Sequence, residues 1–401
     1  MHNKIIIICL LFLSVLNSSI YIAFSPNGID RLIIALMMNI SGFLLVVMFI
    51  KNIKTISRLG NYYKYLFIIL LLWTGFVVIN NFNFQFSSIV TLFGHYQFVW
   101  AWIVPLSIVI GFNNNIYLKL NFFFIFILIF GNIFAIIILA TRENTQILFG
   151  ILEWMAVLPI LIFSLPYQKI QKKIIILSSL VLYVIISYKV SQRANYIFLF
   201  LIIVFYIIIN RNSILKTEKS LLKIVFIGMI IIISVIWFSM NLLNIISDNP
   251  QLVADTRSFL YKELISDMDI KELIVGRGIM GTYYSPYFDY TRKHGLGGDF
   301  YIRIVNEIGY LHMILKGGII MLVLNVAILL PVSIKGLSDN SDYYSKISGS
   351  YIMLYLFLWT VSYYSVYSFE YILLWIAAGY IINPNKIKKR NDPSSLNSPD
   401  S

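Results

Sequence analysis

The chain has 401 residues, of which 59% are hydrophobic and only 12% charged, and its mean hydropathy is +0.82. A soluble domain carries about 25% charge, so this composition excludes a globule covered by water and requires contact with lipid. The net charge of +13 falls between apolar runs rather than along one basic face, which argues against nucleic acid as a partner and for membrane topology and anionic headgroups.

A membrane-spanning helix needs about 17–25 mostly apolar residues. In chain order, such runs lie at 5–24, 32–50, 62–80, 89–112, 121–140, 146–165, 174–190, 194–210, 221–240, 308–333, 347–367 and 369–383. The expected fold is therefore an all-α polytopic membrane protein with about twelve transmembrane helices. Lys4 ahead of the first run is reminiscent of a signal peptide. That run has no small-x-small cleavage site at its end, so it reads as a retained helix. The single cysteine, Cys9, lies within it and excludes both an internal disulfide and a thiolate metal site. The four histidines, His2, His95, His294 and His312, lack metal-ligand spacing.

Lys and Arg set the orientation. With the N-terminus inside, the inner connections hold Lys51, Lys54, Arg58 and Lys64, then Lys119, then Lys169, Lys172 and Lys173. Further on they hold Arg211, Lys216, Lys219 and Lys223, then Lys335 and Lys346, and the tail adds Lys386, Lys388, Lys389 and Arg390. The short outer connections hold only Arg31, Arg142, Lys189 and Arg193. Both termini are thus expected to be cytoplasmic.

Four regions follow. Residues 1–240 carry nine spans, 241–305 form a large extracytoplasmic loop, 306–385 carry three more spans, and 386–401 form a polar tail expected to be disordered. The loop holds seven Lys/Arg, eight Asp/Glu and nine Phe/Tyr. A connection that long is either functional or disordered, and its aromatics favour a small folded cap, with a short helix near 256–267.

Ionisable residues near the membrane face are costly to place and usually have a task. Three clusters qualify. Ser191-Gln192-Arg193-Ala194-Asn195 sits at an outer helix end, where an arginine can also simply snorkel. Asp255-Thr256-Arg257-Ser258-Phe259 is followed by Gly276-Arg277-Gly278, a turn whose amides can approach an anion while Arg277 supplies charge, or a plain turn with a solvated arginine. Asn306-Glu307-Ile308-Gly309-Tyr310-Leu311 precedes Lys316-Gly317-Gly318. Glu307 there is either functional or an acid favoured by a helix start, and Lys316, inside an apolar run, needs a carboxylate, carbonyl or water partner. Glu153, Glu370 and His95 are weaker candidates for lining a cavity.

In this order these clusters resemble the O-antigen polymerase and O-antigen ligase superfamily of bacterial envelope glycan enzymes. The matching features are the Ser191-Gln192-Arg193 element, Arg257 early in the large loop, the Gly276-Arg277-Gly278 turn, and the re-entry through Glu307, Tyr310-Leu311 and Gly317-Gly318. The resemblance is topological over most of the chain and residue-specific over about 190–320. Ligases of this superfamily place a histidine where Glu307 stands, so the acid looks more like the polymerase branch.

The resemblance implies a GT-C-like, metal-independent glycosyltransferase without cofactor in the bacterial inner membrane. It would move a polyprenyl-diphosphate-linked glycan onto the sugar end of another lipid-linked repeat, for O-antigen, capsule or exopolysaccharide. Arg193, Arg257 and Glu307 would then be catalytic, the arginines clamping diphosphate charge and Glu307 taking the acceptor proton. Arg277, Gly276, Gly278, Tyr310 and Lys316 would contact substrate. Membrane lipid, a flippase and a chain-length regulator would be partners. The alternatives are a ligase-type glycan transferase and a flippase or transporter, although no internal repeat of the transporter kind is visible.

Overall fold

The computed structural model describes residues 2–24, 29–82, 84–95, 97–113, 116–141, 145–190, 193–215, 258–294, 301–339, 341–362 and 367–384. The chain is mostly helical. The N-terminal part comprises α1 (His2–Phe24), α2 (Ile29–Lys51), α3 (Asn61–Ile79), α4 (Phe86–Gly94) and a run α5 (Val99–Gly111) that contains a 3-10 turn. There follow α6 (Ile116–Thr141), α7 (Thr145–Trp154), α8 (Leu158–Phe163), α9 (Ile170–Val190) and α10 (Arg193–Leu215). The cap holds α11 (Ser258–Asp267), α12 (Ile270–Val275), β1 (Tyr283–Tyr284), α13 (Pro286–Lys293) and β2 (Ile302–Arg303). The C-terminal part holds α14 (Gly309–Ser338), α15 (Tyr343–Leu358) and α16 (Phe369–Ile382).

Among the described residues, five helices are long and apolar enough to cross a membrane, or six if the bent α4–α5 pair is one span. The expected count of twelve is not reached among the described residues. The run at 221–240 lies outside them. The apolar runs at 146–165 and 369–383 appear as the shorter apolar stretches Ile147–Phe163 and Phe369–Ile382, and those at 5–24 and 194–210 lie within α1 and α10, each 23 residues long. Two of the expected runs are interrupted. Phe98 leaves helical geometry between α4 and α5, and a 3-10 turn at Met155–Val157 precedes α8, with Pro159 in its first turn.

Lipid-type exposure accompanies these helices. Leu72, Phe76 and Ile79 of α3 and Ile319, Val323 and Ile334 of α14 are exposed although apolar, as helices bathed in hydrocarbon require. The interior is closed by α14 against α15, α15 against α16, α1 against α7, and α16 against α5. Trp359, Trp375, Tyr351 and Tyr355 are fully buried there.

The cap is tied together locally. Strands β1 and β2 pair antiparallel, Tyr283 with Arg303 and Tyr284 with Ile302. Asp269 caps α12 in a reciprocal box with Glu272, each satisfying a backbone amide of the other. Ser285 caps α13, and its hydroxyl donates to Glu263, which also accepts from the Tyr287 amide. Leu260, Leu264, Met268 and Tyr283 pack with Ile308, Leu311 and Leu315 of the α14 start.

Candidate functional site

Helix α14 is broken at Gly318, whose φ of 69° and ψ of −177° no helix accommodates. A break inside an apolar helix strips carbonyls of their partners, and in a membrane each orphan costs several kcal/mol unless satisfied. The Gly276-Arg277-Gly278 turn supplies the missing donors. The Arg277 amide donates to Leu315 O at 2.8 Å and the Gly278 amide to Lys316 O at 3.0 Å. The next amide, Ile279, donates to Val77 O at the end of α3 at 2.9 Å. The Trp73 indole donates to Gly317 O at 2.8 Å. Gly276 and Gly278 have φ of 83° and 78°, and a Cβ at either would meet backbone atoms at 2.3 Å and 2.0 Å. Only glycine fits this seam between α3, α12 and α14.

This geometry gives Gly276 and Gly278, expected from the sequence to contact substrate, a place in the packing of the seam. The amides of residues 276 to 279 all donate to backbone carbonyls, so the turn has no nest to offer an anion. Arg277 is likewise spent within the cap. Its Nη1 lies 2.5 Å from Asp267 and 2.7 Å from Thr282 O, and its Nη2 lies 2.7 Å from Glu272 and also reaches Asp267 O. Lys316 is turned inward. It is fully buried, and Nζ donates to Gly281 O at 2.8 Å with Phe98 below it at 5.9 Å. Lys316 therefore has the carbonyl partner its setting demands, on Gly281. Tyr310 is also engaged internally. Its hydroxyl donates to Leu356 O at 2.8 Å and its amide to Trp359 O at 3.2 Å.

Glu307 is different. It stands just ahead of Ile308, the N-cap of α14, with its side chain 47% exposed. One carboxylate oxygen, Oε1, accepts from Arg303 Nη2 at 2.8 Å. The Arg303 side chain is only 17% exposed, and its guanidinium lies 4.2 Å from the centre of the Phe288 ring. Burial pushes the neighbouring Tyr283 phenol up to about 12, against the opposing pull of Arg303, so it stays protonated. Beneath Glu307, buried Asn306 fixes the chain. Its Oδ1 accepts from the Ile308 amide at 3.0 Å, and its own amide donates to His312 Nδ1 at 3.4 Å. His312 is fully buried and stacks on Trp102 at 6.1 Å. The result is an exposed carboxylate held on a guanidinium that an aromatic ring supports. Such a pair can take a proton and face an anion.

Of the three catalytic candidates, only Glu307 can be placed. Arg257 lies outside the described residues, as do Ser191 and Gln192; Arg193 opens α10, and its side chain is not among those described. Sequence reasoning missed Arg303, whose signal was its position four residues before the acid that precedes α14. Glu153 and Glu370 are near enough to interact electrostatically. Among the described residues, no three or more His, Cys, Asp or Glu side chains gather to hold a metal.

No family model, curated protein or solved structure matches the chain.

Proposed function

We propose that the protein is a polymerase that extends a glycan carried on polyprenyl diphosphate, acting at the outer face of the inner membrane with both termini in the cytoplasm. The observation that carries this reading is the Arg303–Glu307 pair, at 2.8 Å, at the mouth of α14. The segments that resemble the polymerases, 276–278 and 307–318, are joined by the bonds of the Arg277 and Gly278 amides to Leu315 O and Lys316 O. Glu307 takes the proton of the acceptor hydroxyl as its oxygen bonds to the anomeric carbon of the donor sugar. The bond from that carbon to the diphosphate breaks, and the lipid diphosphate leaves with the electron pair. Arg303, with Arg193 and Arg257 as the resemblance implies, faces the charge that develops on the leaving group. The donor arrives activated, so the step needs no nucleotide.

A transporter is the second reading, favoured by the interaction of Glu153 on α7 with Glu370 on α16, because acids inside apolar helices commonly line transport paths. Deleting the gene and resolving lipid-linked and surface glycans separates the two. Single repeats without a ladder, restored by the wild type but not by Glu307→Gln or Arg257→Ala, support the polymerase. Long chains stranded on the carrier point to a ligase. Repeats trapped on the cytoplasmic side point to transport and overturn the catalytic assignment.

A further inference from the structure

We infer that the cap is seated in the lipid surface through α12, whose exposed isoleucines dip into the boundary of the same membrane that α3 and α14 cross. The inference stands on geometry alone and does not depend on the glycan reading.

Helices α3 and α14 run antiparallel. At one end Lys335 of α14 lies 6.0 Å from the Tyr63 ring of α3, and Tyr62 donates to Ala327 O at 2.9 Å. At the other end α3 stops at Ile79, and α14 breaks at Gly318, with the Gly276–Gly278 turn bonded to both. From Tyr63 to Asn80 a helix rises about 26 Å, and from Ile319 to Lys335 about 24 Å, at about 1.5 Å per residue. That is close to the roughly 30 Å of a hydrocarbon core. A lysine with tyrosines marks one boundary, in the manner of interfacial anchors, so Asn80 and Gly318 mark the other.

Helix α12 rests at that second boundary. A Cβ on Gly318 would meet Ile274 O at 2.0 Å, so the backbone of α12 lies directly against the break. Ile270 and Ile274, one turn apart and on one face, are 79% and 46% exposed. Beside the break, Ile319 is exposed, and so are Ile79 at the end of α3 and Phe84 and Phe86 just beyond it. These residues carry the apolar surface of α3 and α14 toward the cap, with Asn81, Gln85 and Lys271 exposed among them. Left in water, they would form an exposed apolar patch of the kind that marks an interaction surface. Because Ile274 lies against the break of α14, beside exposed Ile319 at the end of the lipid-facing stretch, the occupant of the patch is lipid.

The test uses the full chain in vesicles. Cys9 is the only cysteine, so Cys9→Ser gives a background for single labels. A bimane fluorophore is placed by Ile270→Cys, Ile274→Cys, Leu72→Cys or Lys293→Cys, and the vesicles are made of phosphatidylcholine and phosphatidylglycerol with or without brominated acyl chains. Leu72, exposed in mid-span, sets full quenching. Lys293, a charged residue 63% exposed on α13, sets the aqueous limit. Labels at 270 and 274 are expected to lose at least half as much fluorescence as the label at 72. If they are quenched no more than the label at 293, the cap stands clear of the bilayer and the inference is overturned. Shielding of the 270 label from both bromolipid and aqueous iodide would assign the patch to a protein partner and overturn it equally.

Discussion

The Gly278 amide donates to the Lys316 carbonyl across 3.0 Å, joining residues 38 positions apart in the chain at the point where α14 stops being a helix. This bond and its neighbours make the break affordable. Replacing either glycine with alanine sets a Cβ 2.0 Å from a backbone carbonyl, Asn80 O for Gly278→Ala and Ile274 O for Gly318→Ala. Positive φ alone costs a non-glycine residue about 1–3 kcal/mol, and the clash adds to it. Both variants should lower the thermal midpoint in detergent or fail to yield folded protein. Gly60→Ala, which meets nothing within 4 Å, should be neutral. Equal midpoints for all three would refute the seam.

Arg277 and Lys316 should prove structural. Arg277→Ala removes bonds to two carboxylates from a side chain only 18% exposed, and hydrogen bonds to charged groups contribute about 1.5–3 kcal/mol each. Lys316→Met leaves Gly281 O without its donor, a cost of about 1–3 kcal/mol, partly offset by removing a buried charge. Both are expected to reduce thermal stability while the surviving folded protein keeps its glycan output. A folded Lys316→Met protein with normal stability and no output would restore Lys316 to the substrate site.

The sequence revealed most of the helices because the membrane imposes one crude rule, about twenty apolar residues in a row, which the runs at 32–50, 62–80 and 121–140 obey plainly. It did not reveal that the run at 308–333 is two helical pieces. Gly317-Gly318 is a common packing pair in membrane helices, and only a partner turn 40 residues away makes it a break. The same limit applies to Gly276-Arg277-Gly278. Glycines bring backbone close to something, but spacing cannot say whether that something is a phosphate or a helix end. Glu307 stood out as an acid just ahead of an apolar run, whereas Arg303, held against Phe288 four residues earlier, did not.

Asp289 gives the cap a dependence on acid. Hydrogen bonds from Lys293, from Tyr284 and from Arg292 hold its carboxyl down to about 2, against an ordinary 3.8. A carboxyl held low favours the folded state while ionised. Its contribution is therefore complete above about pH 4 and is lost as the pH falls through about 2. Hydrogen exchange at the α13 amides should rise across that window in the wild type. In Asp289→Asn it should already be raised at pH 7 and change less on acidification. Identical profiles in the two proteins would show that Asp289 does not hold α13.

The sharpest prediction concerns the pair at the mouth of α14. General bases contribute about 10²–10⁴ in rate, so Glu307→Gln should cut polymer formation by about that factor at equal protein level and unchanged thermal midpoint. Arg303→Gln should also lower output, because the carboxylate loses the 2.8 Å bond that orients it. Arg303→Lys should fall between, since an ammonium keeps the charge and the aromatic contact but loses the planar fork. The measurement is the ladder of chain lengths on lipid-linked glycan from a deletion host carrying each variant. The order wild type, Arg303→Lys, Arg303→Gln, Glu307→Gln supports a base positioned by a guanidinium. A full ladder from Glu307→Gln would remove the carboxylate from the chemistry, and the proposed proton transfer with it.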